Sequence, residues 1–88
     1  MGSDLAMNPY PDPTREEYAR KAHEAAERGV RMNPYHAANR ELAAACAVEA
    51  GELAAARRHI EALVVLEPDE PRHVRRMEAI ERLLERDR

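Results

Sequence analysis

The chain of 88 residues lacks tryptophan and phenylalanine, and it has only three tyrosines and one cysteine, Cys46. Without large aromatic side chains, its core must consist of Leu, Val, Ile, Met and many alanines, which let helices approach closely. One cysteine cannot close an internal disulfide or supply a cluster of metal-ligating thiolates, which is typical of a protein from a reducing compartment. The composition therefore predicts a small cytoplasmic domain with a thin core.

An excess of positive charge is also missing, because 14 basic residues stand against 17 acidic ones and the formal charge is −3. Such a chain has no general attraction to nucleic acid or to an anionic membrane, so we expect neither as a partner. No apolar run approaches the roughly 20 residues that span a bilayer. The opening MGSDLAM has no basic and apolar regions of a secretion signal, and it is compatible with a partial cloning remnant.

Prolines divide the chain into two parts. Pro9, Pro11 and Pro13 stand close together, and each removes a backbone donor and restricts the residue before it. We therefore expect residues 1–13 to form an extended, proline-rich lead-in. Residues 14–88 follow as one helical domain.

The first two predicted helices have recognisable start and stop signals. Thr14 and Glu17 have the spacing of a capping box, and the helix behind them is expected to end near Met32. Its apolar face comprises Tyr18, Ala22, Ala25, Ala26 and Val30. Asn33 suits an N-cap and Pro34 the first position of the second helix, which should stop at Gly51. We expect that helix to carry an apolar stripe of Leu42, Cys46 and Ala50.

Two further helices complete the expected all-α fold, in which four helices form antiparallel hairpins. The third is predicted from Glu52 to Glu67, where Pro68 ends it. Asp69 is a plausible cap for the fourth. The apolar face of the fourth helix is expected to consist of Val74, Met77, Ile80, Leu83 and Leu84.

A sequence repeat relates the first helix to the third. Pro34 and Pro68 lie 34 residues apart, and aligning them superimposes Ala22 on Ala56, Glu27 on Glu61, Val30 on Val64 and Met32 on Leu66. A fixed period of this size indicates a helical-repeat architecture. The segment from residue 37 to 68 resembles one tetratricopeptide repeat (TPR), on the evidence of Ala44, Gly51, Leu53, Ala56, Ile60, Val64, Leu66 and Pro68. The flanking helices then resemble half repeats, and the fold expected is an α-α superhelix.

The resemblance implies a non-catalytic scaffold that holds a partner peptide or helix in a groove. The positions that it assigns to the groove are Ala38, Glu41, Ala45, Val48, Arg72, Arg75 and Arg82. On the functional interpretation, these arginines pair with carboxylates of an acidic partner segment. The alternative is that they form the solvated face of a terminal cap, paired within the helix to Glu78, Glu81 and Glu85.

An apolar end is a second candidate surface, because a repeat cannot bury its hydrophobic face alone. We expect residues exposed in the isolated chain among Leu63, Val65, Ile80 and Leu83, and we assign Val65, Ile80 and Leu83 to a possible association surface. Tyr10 and Tyr35 each adjoin a proline, and we expect them to fasten the chain ends to the helices.

The titratable residues give no pattern of catalytic or metal chemistry. No two of His23, His36, His59 and His73 have the i, i+4 spacing of a helical metal site, so exposed or partly packed histidines are expected. Cys46 is expected to be a small buried hydrophobic residue. We predict no enzyme activity, no cofactor and no metal.

Two alternatives to a peptide-binding module remain. The chain could be a self-associating structural adaptor, in which the first or fourth helix packs against a second copy. It could also be a regulatory TPR fragment of a larger signalling or transcription protein. The sequence does not identify the partner in any of these cases.

Overall fold

A computed structural model of the chain describes residues 14–86, and within that range it forms four α-helices and no strand. Helix α1 spans Arg15–Met32, α2 spans Ala37–Glu49, α3 spans Leu53–Leu66 and α4 spans Pro71–Arg86. Consecutive helices are joined by short turns into hairpins, which confirms the all-α fold of helical hairpins. The expected lead-in, residues 1–13 with Tyr10, lies outside the range that the structure describes.

The entry to α1 is as predicted, whereas the entry to α2 is not. The Thr14 hydroxyl accepts a hydrogen bond from the backbone N–H of Glu17 at 3.1 Å. Asn33, predicted as the N-cap of α2, instead closes α1, since its N–H donates to the carbonyl of Gly29 at 3.1 Å. Helix α2 begins later because the Nδ1 atom of His36 accepts from the N–H of Asn39 and serves as the cap. Pro34 therefore lies in the turn.

The turns around α3 follow the glycine and proline signals. Gly51 has a φ of 76°, a left-handed conformation that glycine adopts without steric cost, and it follows the last turn of α2. The prediction that Asp69 caps α4 was wrong. The carboxylate of Glu70 accepts from the N–H of Arg72 at 3.2 Å, and Pro71 occupies the first helical position.

Within residues 14–86 the helix backbones pack only against their neighbours in sequence, so the four helices form a linear stack. A few polar side chains reach the helix beyond the neighbour. The larger core cluster lies between α2, α3 and α4 and comprises Ala44, Ala47, Ala55, Ala56, Ile60 and Ile80, with Leu53, Met77 and Leu84 against it. The smaller cluster joins α1 to α2 and comprises Ala26, Val30 and Ala43, with Cys46 partly buried beside them. As expected from the composition, alanines make up most of this core.

The buried stripe of α2 differs from the predicted one. Ala43, Ala44 and Ala47 are fully buried, whereas Leu42 is 58% exposed. Helix α2 lies between α1 and α3, and only alanines are small enough where it is in contact with helices on two sides. The sequence prediction chose the larger apolar residues and so selected the flank of the helix instead of its contact face.

Candidate partner-binding surfaces

The predicted groove residues of α2 and α4 lie partly together. The carboxylate of Glu41 on α2 forms an ion pair with the guanidinium of Arg72 on α4, with 2.8 Å between Oε1 and Nη2. Arg76, which the sequence prediction omitted, lies 3.6 Å from the same Glu41 oxygen. Ala38, Ala45 and Val48 are exposed along the same side of α2. We call the set Ala38, Glu41, Ala45, Val48, Arg72 and Arg76 the α2/α4 face.

Arg75 and Arg82 are exposed on α4, and the structure joins neither of them to α2 within residues 14–86. The Nε atom of Arg82 donates to the carbonyl of Glu78, one turn earlier in its own helix. Glu81 pairs with Arg57 of α3 at 3.4 Å, so this acidic residue connects two helices. In contrast to the terminal-cap interpretation, which paired these charges within the helix, the ion pairs described for α4 run to α2 and α3.

A buried histidine connects three helices, and sequence reasoning missed it. His59 of α3 is 3% exposed, its Nε2 lies 2.6 Å from a carboxylate oxygen of Glu27 on α1, and its Nδ1 lies 3.0 Å from Nη1 of Arg40 on α2. A guanidinium can only donate, so Nδ1 must accept and Nε2–H must donate to Glu27. The two partners on opposite sides of the ring therefore fix its orientation between α1 and α2.

His73 is the second buried histidine and has 0% exposure. Its Nε2 lies 2.7 Å from a carboxylate oxygen of Glu67, the residue that ends α3. Its Nδ1 is buried and has no hydrogen-bond partner in the described part of the chain. The expectation of exposed or partly packed histidines is thus wrong for His59 and His73, because ring size and spacing do not reveal a distant carboxylate partner.

An open groove runs between α1 and α2, on a flank that the prediction did not select. Two recesses of about 550 Å³ and 320 Å³ adjoin and share Ala22 and Cys46. Around them lie Arg15, Glu16, Tyr18, Ala19, Ala25, Ala26, Gly29, Asn39, Leu42, Ala45 and Glu49. We call this the α1/α2 groove. Tyr18 and Leu42 are each 58% exposed there, and Cys46 is only half-buried, so it does not match the buried residue expected.

The predicted association surface is not continuous. Val65 is 80% exposed and Leu83 is 38% exposed, so the predicted set does contain exposed residues. The prediction was wrong for Ile80, which is 5% exposed and packs in the core against α3. Leu63 is also buried. Tyr35 is exposed and does not fasten the chain to the helices as expected.

Three further findings concern the chemistry and the relatives of the chain. Within residues 14–86, no group of three His, Cys, Asp or Glu side chains is arranged to hold a metal ion. In the same range, no helix combines the length and the apolar character needed to cross a membrane. Comparison with protein-family models, with curated proteins and with solved structures finds no match to the chain.

Proposed function

We propose that the protein is a non-catalytic, TPR-like protein-interaction module of the cytoplasm, and that its α2/α4 face binds a partner peptide with acidic and apolar side chains. The single observation that supports this most is the sharing of one carboxylate, that of Glu41, by two arginines of α4. One positive charge is left over at that point. It lies beside the exposed side chains of Ala38, Ala45 and Val48.

The chemistry of the face favours a carboxylate ligand over other charged groups. Arg72 is about half exposed in its ion pair with Glu41, so a carboxylate from outside can compete for its guanidinium. Such an exposed pair is itself worth at most about 1 kcal/mol, so displacing it costs little. The small side chains of α2 leave room for an apolar residue of the partner next to the arginines. Arg75 adds a further exposed cation on α4.

Selection from a random peptide library on the immobilised protein tests this proposal. We expect the enriched peptides to be rich in Asp and Glu and to carry a Leu or similar residue. A fluorescently labelled enriched peptide, measured by anisotropy, should bind the double variant Arg72→Glu, Arg75→Glu about tenfold more weakly or worse, since two attractions become repulsions. Arg58→Glu is the matched control, because Arg58 is an exposed arginine of α3, away from the face.

The variant Glu41→Gln tests whether the Glu41 carboxylate competes with the peptide for the two arginines. It removes the carboxylate that competes for Arg72 and Arg76, so the peptide should bind a few-fold more tightly, about threefold by a gain of under 1 kcal/mol. Equal binding by the wild type and the Arg72→Glu, Arg75→Glu variant would contradict the proposal. Equal losses in that variant and in Arg58→Glu would contradict it too.

Two other functions remain as proposals beside this one. Self-association as a structural adaptor is favoured by the open α1/α2 groove and the exposed Tyr18 and Leu42. A regulatory TPR fragment of a larger signalling or transcription protein would use the same face, with its output in another domain. The peptide selection tests peptide binding, and the oligomeric state of the chain in solution tests self-association.

A further inference from the structure

The internal repeat indicates which segment covers the α1/α2 groove. Both recesses are lined by Ala22 and Cys46, and the offset of 34 residues relates these two to Ala56 and Ile80 of the second hairpin. Ala56 and Ile80 are buried in one cluster with two alanines of α2, the segment that directly precedes α3 in the chain. By the same relation, the α1/α2 groove corresponds to a place covered by the segment that directly precedes α1.

The groove has small side chains where the second hairpin has large ones. Under the same offset, Leu53 and Leu63 of α3 correspond to Ala19 and Gly29 of α1, which line the larger and the smaller recess. A Cβ placed on Gly29 meets no atom within 4 Å. Interiors are packed to a nearly constant density, so the missing volume must come from large side chains of the occupant.

The segment before α1 carries two such side chains, Met7 and Tyr10, three residues apart. Residues 7–13 contain three prolines, which favour the polyproline II conformation with three residues per turn, so these two side chains lie on one side of it. Thr14, the first residue described, has a φ of −65° and a ψ of 160°, close to that conformation. Residues three apart then lie about 9 Å apart along the axis.

The two recesses have the matching spacing and lie within reach of this segment. Along α1, the larger recess extends from Arg15 to Ala22 and the smaller from Ala22 to Gly29, about 10 Å each. The larger recess adjoins the start of α1, where the segment joins the helix. A turn at residues 11–13 directs the chain back along α1, and the four residues from 10 to 7 cover the remaining distance.

We infer that the α1/α2 groove binds residues 6–11 of its own chain, with Tyr10 in the larger recess and Met7 in the smaller one. This segment takes for the first hairpin the place that α2 takes for the second. It caps the open end of the stack, which a helical repeat needs because its last apolar face has no neighbour. The inference does not depend on peptide binding at Arg72 and Arg76.

Alkylation of Cys46 by iodoacetamide, followed by mass spectrometry, tests the inference in the full chain. We expect the double variant Met7→Ser, Tyr10→Ser to react at least about threefold faster than the wild type, because a thiol reacts only while its site is uncovered. The matched control is Met32→Ser, Tyr35→Ser, which should react at the wild-type rate. These two residues have the same identities and spacing, are 87% and 80% exposed, and are not among those that line the recesses. Circular dichroism should report equal helix content in all three proteins.

Nuclear magnetic resonance tests the placement directly in the wild type. We expect nuclear Overhauser effects between the ring of Tyr10 and the methyl groups of Ala19 and Ala22, and their absence would overturn the placement. Equal alkylation rates of the wild type and the Met7→Ser, Tyr10→Ser variant would overturn the inference as a whole. A wild-type rate that falls as the protein concentration rises, together with a dimer in sedimentation velocity, would overturn it in favour of a second copy as the occupant.

Discussion

At the scale of single residues, two buried histidines hold the turns and the stack together in different ways. His59 uses both ring nitrogens, one on Glu27 and the other on Arg40, so it connects α1 and α2 to α3. His73 uses one nitrogen, on Glu67, and its Nδ1 is buried without a partner in the range described. The free energy lost on replacing a buried polar group depends on what the replacement leaves unpaired. The two histidines should therefore respond differently to the same substitution.

Leucine at these two positions provides a matched pair of variants. His59→Leu should lower the free energy of unfolding by about 2 kcal/mol, since Glu27 and Arg40 both lose a partner in a partly buried place. His73→Leu should leave it unchanged or raise it by up to about 1 kcal/mol, because the unpaired nitrogen disappears and Glu67 is open to water. Urea denaturation followed by circular dichroism measures both. A larger loss for His73→Leu than for His59→Leu would contradict these assignments.

At the scale of the helices, the sequence predicts boundaries well and faces less well. Thr14, Gly51 and Pro68 mark helix ends through local backbone chemistry, and the bounds of α1 and α3 agree with the prediction within a residue. The start of α2 was wrong because Asn33 can cap the end of one helix as well as the start of the next. The faces depend on how many neighbours a helix has, and the sequence alone does not say that α2 lies between two helices.

The α3 helix offers a test of the close contact that small residues allow. Ala56→Leu should lower the free energy of unfolding by about 1 to 3 kcal/mol or more, since the side chain is fully buried against Ala44 and Ala47. Ala54→Leu, two positions earlier and exposed, should change it by no more than about 0.5 kcal/mol. Thermal melting of both variants compares them directly. Equal stability of Ala56→Leu and Ala54→Leu would contradict the full burial of Ala56 between α2 and α3.

The candidate surfaces show the same limit of sequence reasoning. Glu41 and Arg72 were assigned to one groove from the repeat resemblance, and the structure places them 2.8 Å apart. Arg76 was omitted, although it lies one turn after Arg72 and meets the same carboxylate. Ile80 was assigned to the surface, since an apolar residue on a terminal helix gives no sign of which flank is covered. The partner of each side chain depends on contacts between helices that are distant in sequence.

At the scale of the whole molecule, charged or polar links tie each helix to the one beyond its neighbour. Glu27 to His59 connects α1 with α3, and Glu41 to Arg72 connects α2 with α4. Such links fix the angle at which successive hairpins stack, in addition to the contacts between neighbours. The stack then has two candidate binding surfaces, which share Ala45. The α2/α4 face is proposed for a peptide, and the α1/α2 groove for residues 6–11 of the same chain.

Native mass spectrometry of the protein with a peptide enriched by selection on it tests the proposed peptide site most directly. We expect one bound peptide for each chain in the wild type, and the Arg72→Glu, Arg75→Glu variant should appear largely without peptide, because two attractions become repulsions. Equal peptide occupancy of the wild type and this variant would contradict the account.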